Sequence, residues 1–189
     1  VVAPTGVAAL NVKGVTIHSF FRFPPRIVTD EDIKEVKNRR LYEKLDLLIV
    51  DEVSMVRADV MDAMDKFLRL NGADAQRPFG GVPLLLVGDR FQLPPVVTPR
   101  EGEMLQDRQN ATPFFFSARV LQDLPMAPVE LSRVYRQKDE AFARMLDRVR
   151  LADGLEETVP ALNAECAIPR EKRGSLITLT CTNAAAGFI

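Results

Sequence analysis

The sequence predicts an α/β fold, a parallel sheet flanked by helices, and three observations carry that prediction. Leu47-Leu48-Ile49-Val50 is an unbroken aliphatic run closed by two adjacent carboxylates, Asp51 and Glu52. Leu84-Leu85-Leu86-Val87 is a second such run, closed by Gly88-Asp89-Arg90-Phe91-Gln92. A strand covered on both faces shows no apolar–polar alternation, so both runs read as parallel, buried strands. Helical patterns stand around them, and strand–helix alternation is how such a sheet is built.

The elements are taken in chain order. Residues 1–3 read as a strand end, residues 4–6 as a turn, and residues 7–12 as a short helix that Gly14 breaks. Pro24-Pro25 stops regular structure. Up to Val28 there is no acidic residue, while Lys13, Arg22 and Arg26 are basic. Hydroxyls, cations and the adjacent Phe20 and Phe21 are what a single-strand binding surface needs, because cations hold phosphates and rings stack on bases. The alternative, that Phe20, Phe21 and Phe23 are core, stays open at this point. Residues 30–44 read as an amphipathic helix capped by Thr29 or Asp30, with Ile33, Val36 and Leu41 on one face. Residues 59–70 read as a second helix with Val60, Met64, Phe67 and Leu68 inward, ended by Asn71-Gly72. Residues 96–112 read as loop, 117–123 as a short helix and 127–131 as a third strand. Helices are expected over 139–151 and, more weakly, 155–166, and a strand over 175–182.

Composition limits the function classes. At 189 residues and 47% hydrophobic, the chain holds one domain, or one and part of a second. A formal net charge of −1 gives no global basic field, so nucleic-acid contact must rest on local charge. Cys166 and Cys181 lack metal-like spacing and read as residues of a reducing compartment. No run has membrane-spanning length and no leader pattern is present, so a soluble, intracellular chain is expected. The chain starts Val1-Val2-Ala3-Pro4 without Met and ends at what reads as a helix start near Asn183. Both ends read as cut from a longer protein.

Ligands of open α/β sheets bind beyond the carboxyl ends of the strands. A carboxylate there, Asp51, can hold Mg²⁺ on a nucleotide, and its neighbour Glu52 can orient or deprotonate a water. The same dipeptide can also simply open a solvated loop. Gln92 carries a donor and an acceptor, which suits sensing a phosphate and a water together. Gly88 permits a sharp turn and Pro94-Pro95 stiffen the loop beyond it. Asp89 serves either as a further carboxylate near the metal or as a turn cap.

Four stretches in order resemble the PIF-type (petite integration frequency) DNA helicases of superfamily one, in a bacterial-like form. They are Ala3-Pro4-Thr5-Gly6-Val7-Ala8-Ala9 with Thr16-Ile17-His18-Ser19-Phe20; Ile49-Val50-Asp51-Glu52-Val53-Ser54-Met55; Pro78-Phe79-Gly80-Gly81 leading to Gly88-Asp89-Arg90-Phe91-Gln92-Leu93-Pro94-Pro95; and Leu131-Ser132-Arg133-Val134-Tyr135-Arg136-Gln137. The resemblance spans essentially the whole chain. It implies a RecA-like (P-loop NTPase) parallel sheet over 1–126 and the start of a second RecA-like domain over 127–189. It also implies an ATP-dependent helicase that moves 5′ to 3′ on single-stranded DNA. Such enzymes unwind duplexes, forks and G-quadruplexes and serve DNA repair, recombination and telomere maintenance. In that reading Asp51 holds Mg²⁺ on ATP, Glu52 activates water, Gln92 contacts the γ-phosphate, and Arg136 is an arginine finger, with Arg133 its competitor. Thr5, Gly6, His18, Ser19, Phe20 and Pro94 line the DNA path. A monomer, without membrane contact, is implied, in the cytoplasm or nucleoid of a bacterium or in a eukaryotic nucleus or mitochondrion.

Two departures matter. No Gly-Lys dipeptide occurs, so the phosphate-cradling loop of the family is expected upstream of Val1, and residues 1–189 alone are expected not to hydrolyse ATP. Arg90 stands where relatives often carry an aromatic or small residue. The alternatives are a RecD-like or relaxase-linked helicase, separable by the flanking sequence, and a non-catalytic DNA- or partner-binding module. Retention of Asp51, Glu52, Gln92 and Arg136 together argues against the module.

Overall fold

The computed structural model describes residues 1–107, 110–165, 177–180 and 182–187. They belong to two compact units, Val1–Glu130 and Leu131–Ile189.

In the first unit, β1 (Val2–Ala3) leads to α1 (Gly6–Asn11), β2 (Val15–Thr16) and α2 (Ile17–Phe21). Both helices start with the same device. The Thr5 hydroxyl accepts from Ala8 N and the Thr16 hydroxyl from Ser19 N, each at 3.2 Å, satisfying amides that a helix start leaves unpaired. Next along the chain are α3 (Arg40–Glu43), β3 (Leu48–Val50), α4 (Ala58–Asn71), β4 (Leu84–Leu86), α5 (Pro99–Asp107) and α6 (Arg119–Gln122). The four strands form one sheet in the order β2-β1-β3-β4, every pair parallel, with Val2 beside Val15 and Val50, and Val50 beside Leu86. Val2, Leu48 and Val50 are buried against Ile17, Phe21, Met61, Met64, Phe67 and Leu68. The expected strands at 47–50 and 84–87 and the helix at 59–70 are therefore present.

Helix α4 is buried on most of its surface, including Asp59, Asp62, Asp65 and Asn71. Each of these side chains accepts a backbone N–H from a different crossing segment. Asp59 takes Val28 N at 3.1 Å, Asp62 takes Val120 N at 3.0 Å, Asp65 takes Phe79 N at 2.6 Å and Asn71 takes Val36 N at 2.8 Å. Asp65 is also held by Arg69 Nε at 2.9 Å. A buried carboxylate accepting an amide and an arginine offsets its own desolvation.

Four expectations are corrected. Residues 30–44 do not form one helix: a 3₁₀ turn, Asp30–Asp32, leads through extended chain to α3. Asn71 is the reason, since it accepts Val36 N and donates to Lys34 O at 3.1 Å, drawing off backbone groups a helix would pair internally. The 96–112 loop contains α5, started by a reciprocal cap: Thr98 N donates to Glu101 Oε2 at 2.8 Å and Glu101 N to Thr98 Oγ1 at 3.3 Å, with Pro99 at the first helical position. Residues 127–131 pair with no strand and leave Val129 and Leu131 exposed. Finally, β4 is not buried on both faces: Leu84 and Leu86 are half-buried and Leu85 is 47% exposed.

The second unit, taken by itself, holds α7 (Glu140–Leu151), α8 (Leu155–Glu165) and α9 (Asn183–Ala186). The Asp139 carboxylate caps α7, accepting from Ala141 N at 2.8 Å and Phe142 N at 3.1 Å. Arg148 of α7 reaches Glu157 of α8 at 3.7 Å. Cys166, Cys181 and residues 175–176 of the strand expected over 175–182 lie outside the described residues, and residues 177–180 carry no ladder pairing, so they do not form the expected strand. Among the described residues no helix is long and apolar enough to cross a membrane.

Replacing Asp65 tests the role of α4. Asp65→Ala leaves Phe79 N–H buried without an acceptor and should cost about 2–4 kcal/mol in chemical denaturation. Arg26→Ala, at an exposed pair, should leave the midpoint nearly unchanged.

Candidate functional site

Because all four strands run parallel, their carboxyl ends share one edge of the sheet. In spatial order that edge carries Ile17-His18 after β2, Thr5-Gly6 after β1, Asp51-Glu52 after β3 and Gly88 to Gln92 after β4. The nucleotide candidates therefore stand on β3 and β4, and Thr5, Gly6, His18, Ser19 and Phe20 on β1 and β2. Pro94 is exposed on the loop after β4, and Pro95 beside it is buried.

Backbone bonds lace these ends together. Asp51 N donates to Val2 O at 2.9 Å, Val87 N to Val50 O at 2.9 Å, and Val53 N to Val87 O at 3.0 Å. The last bond requires the chain to double back just after β3, and Glu52 does this with left-handed backbone angles, φ 49° and ψ 43°. For a residue with a Cβ that conformation costs about 1–2 kcal/mol. Strain of this kind persists only where surrounding contacts impose it, and it collects at functional sites. Gly88 approaches the returning chain so closely that a Cβ on it would lie 3.0 Å from Val53 N. Asp51 and Glu52 are half-buried. Beneath them Ser54 is 3% exposed, and its hydroxyl has no partner among the described residues.

The loop after β4 is shaped by Asp89. Its carboxylate accepts from Phe91 N at 3.0 Å, its carbonyl from Gln92 N at 3.0 Å, and its second oxygen from Gln92 Nε2 at 3.4 Å. Asp89 thus takes the turn-cap alternative and orients the exposed Gln92. The Arg90 guanidinium lies 4.9 Å from the Phe91 ring centroid, a stacking role for the cation that departs from the family pattern.

On the β1–β2 side, Phe21 and Phe23 are buried, whereas Phe20 is half-buried, edge-on to Phe21 at 4.9 Å and to Tyr42 at 5.4 Å. The core reading therefore holds for two of the three rings. Arg26 is not a free cation: Asp32 holds it through two bonds of 2.7 and 2.6 Å. Arg26 and Thr29 together pull the Asp32 carboxyl down to about 2. Lys13 and Arg22 remain exposed, both in left-handed backbone. Burial holds the His18 imidazole below its usual range, and the nearby Arg57 charge adds to this against an opposing pull from Asp59. Both effects disfavour the imidazolium form of His18.

Sequence reasoning missed Arg57, Asp59 and Glu101. Arg57 grips both Asp59 oxygens at 2.9 and 3.0 Å, reaches Glu101 at 3.1 Å and donates to Arg26 O at 2.9 Å. The Thr98-to-Glu101 cap was readable as a helix start; the ion pairs were not. In the second unit Arg136 is exposed, and the Arg133 guanidinium sits 5.0 Å from the Tyr135 ring centroid.

A parallel sheet with flanking helices and an acidic strand end is the architecture of RecA-like helicase domains. The chain belongs to the PIF1-like helicase family, whose model matches residues 1–156. It is 37% identical over 169 residues to the ATP-dependent DNA helicase PIF1 of Emericella nidulans, an alignment covering 85% of this chain and 21% of that protein. The structure of Pif1 helicase from Bacteroides in complex with ADP-AlF3 and ssDNA matches with a TM-score of 0.82 at 34% identity, covering 99% of this chain and 44% of that one. A structure of two coordinating Pif1 helicases at forked dsDNA matches with a TM-score of 0.83 at 34% identity, covering 99% of this chain and 45% of that one. The chain thus spans about a fifth of that curated relative and under half of these solved chains.

Gly88→Ala tests the lacing. The added methyl group meets rigid backbone at Val53, so the variant should lose about 1–3 kcal/mol in denaturant titration.

Proposed function

We propose that these residues are the central part of an ATP-dependent helicase that moves 5′ to 3′ on single-stranded DNA and unwinds duplexes and forks. The observation that carries this reading is the division of one sheet edge. Acidic and amide groups fall on β3 and β4, and hydroxyl, imidazole and aromatic groups fall on the adjoining β1 and β2. A motor needs nucleotide and track on neighbouring rigid elements, and this edge supplies both.

In this reading Asp51 holds Mg²⁺, a hard cation served by one or two carboxylates plus the phosphates of the substrate. Carboxylate oxygens at a half-buried strand end fit it, and among the described residues there is no three-ligand cage to suit a metal bound by protein alone. Bound to ATP, the ion neutralises charge on the phosphates. Glu52, aimed by its strained turn, takes the proton of the attacking water. Gln92, tethered by Asp89, touches the γ-phosphate and responds to its loss. Arg136, with Arg133 occupied by Tyr135, supplies the finger from a second RecA-like domain. A phosphate-cradling loop carried on a further strand would pair along the open edge of β4, which ends the sheet.

Thr5, Gly6, His18, Ser19, Phe20 and Pro94 form the DNA path. The family resemblance supports work in DNA repair, recombination and telomere maintenance. A single copy suffices for translocation, and two copies can coordinate at a fork as described for the related structure. The site of action is the cytoplasm and nucleoid if the source is bacterial, or the nucleus or mitochondrion if it is eukaryotic.

Two substitutions in the full-length protein test the assignment. Glu52→Gln should leave ATP binding intact and abolish DNA-stimulated turnover in a coupled ATPase assay; normal turnover removes Glu52 as the base. Arg136→Ala should lower kcat by about 10³-fold or more with little change in nucleotide affinity. An unchanged kcat returns the finger role to Arg133 or to a residue elsewhere.

A further inference from the structure

We propose that Arg57 is a positioning residue that makes ATP turnover responsive to DNA, by clamping the root of the nucleotide segment to the roots of the two DNA-facing segments. The inference rests on the helicase reading and adds a residue outside its ATP-binding and DNA-binding sets.

Three segments of the first unit converge on this one guanidinium. Arg57 follows Asp51 and Glu52 across a single 3₁₀ turn, Val53–Met55. Its backbone is fixed by a bridge to Phe114 and by Ala58 N donating to Pro113 O at 2.9 Å. From there Arg57 Nη1 reaches Glu101 at 3.1 Å. Glu101 in turn holds Thr98 N and the Thr98 hydroxyl, each at 2.8 Å, and Thr98 closes the loop that carries Gln92 and Pro94. On its other side Arg57 Nη2 donates to Arg26 O at 2.9 Å. Asp59, gripped by the same arginine, accepts Val28 N at 3.1 Å. Residues 26–28 end the segment that begins with His18, Ser19 and Phe20.

Four of the five N–H groups that a guanidinium offers are used in this way. The Arg57 side chain is 13% exposed and that of Asp59 1%, so solvent screens the pair weakly. No other basic side chain could replace it: an ammonium has one nitrogen and cannot grip Asp59 with two atoms while bridging to Glu101 and Arg26 O. Arg57 makes no hydrogen bond to Asp51, Glu52 or the DNA-facing side chains, and a lysine keeps the positive charge beside Asp59 and His18, so Arg57→Lys leaves those groups in place. What it removes is the fixed relation between the loop after β4 and the segment after β2. A load placed on one then no longer displaces the other.

The experiment uses the full-length protein with Arg57→Lys, Glu101→Gln and the double variant. DNA-free ATPase, KM for ATP and oligonucleotide Kd by fluorescence anisotropy are measured beside the stimulation of kcat by saturating single-stranded DNA. DNA-free turnover, KM and Kd should stay within about twofold of wild type, while stimulation falls about tenfold or more in Arg57→Lys and by a smaller factor in Glu101→Gln. The double variant should be no worse than Arg57→Lys, since both cut one connection. Wild-type stimulation in folded Arg57→Lys overturns the role. So does a loss that tracks oligonucleotide Kd, which makes Arg57 a binding residue. If Arg57→Lys does not fold, Glu101→Gln decides alone: unchanged stimulation overturns the role. A wild-type protein without DNA-stimulated turnover overturns the helicase reading itself, a result distinct from any variant's.

Discussion

The capture of backbone amides by the side chains of α4 is the constraint on which the first unit depends. A helix buried on nearly all sides must be wrapped by irregular chain, and irregular chain brings unpaired N–H groups into the interior. Asp59, Asp62, Asp65 and Asn71 resolve this conflict by accepting from Val28, Val120, Phe79 and Val36. Three of these acceptors are carboxylates, and their desolvation is offset by Arg57, Arg119 and Arg69. The same bonds fix where each wrapping segment enters and leaves the sheet edge. The geometry at the edge is therefore set from behind, by a helix that contributes no group to it.

That origin decides what can move. Sheet and α4 form one packed body, and close-packed interiors transmit displacement rather than absorb it. Compliance is left to the loops after the strands, and these are tied differently. The turn after β3 is laced to β4 by Val53 N and held in a strained conformation at Glu52. The loop after β4 is ordered at its start by Asp89 and at its end by Thr98 and Glu101, with Gln92 to Pro94 exposed between the two anchors. A segment fixed at both ends and solvent-exposed at Gln92 to Pro94 is suited to meet a ligand without dissociating from the domain.

The range of the interactions decided how much of the fold and site was legible in the sequence. Residues 47–50 and 59–70 were readable because their apolar pattern reflects burial, and 84–87 was readable as a strand although Leu85 and Val87 are exposed. The placement of Asp51, Glu52 and Gln92 at one edge comes from parallel strands ending in polar residues. The 30–44 helix failed because Asn71, 35 residues from Val36, wins its backbone amide. Helix α5 was missed although Thr98-Pro99-Arg100-Glu101 is a local start signal; the low apolar content of residues 99–107 masked it. The buried aspartates on α4 were not legible as amide acceptors, since a charge in a sequence does not announce its partner. Arg57 was invisible for the same reason, its partners Arg26 and Glu101 lying 31 and 44 residues away.

The aromatic cluster behind α2 sharpens what the proposed DNA edge can read. Phe20 is held edge-on by Phe21 and Tyr42, and the Tyr42 hydroxyl donates to Phe20 O at 2.8 Å. A ring so committed offers a fixed edge, not a platform free to rotate onto a base. Burial disfavours the His18 cation and Arg26 is spent on Asp32, leaving Lys13 and Arg22 as the cations exposed beside the turn. In the proposed DNA path, few exposed cations and a rigid turn would favour hydrogen bonds to the phosphate backbone from the Ser19 and His18 side chains over electrostatic grip. Contacts of that kind carry no base identity and are released one at a time, which is what stepping along a strand of arbitrary sequence requires.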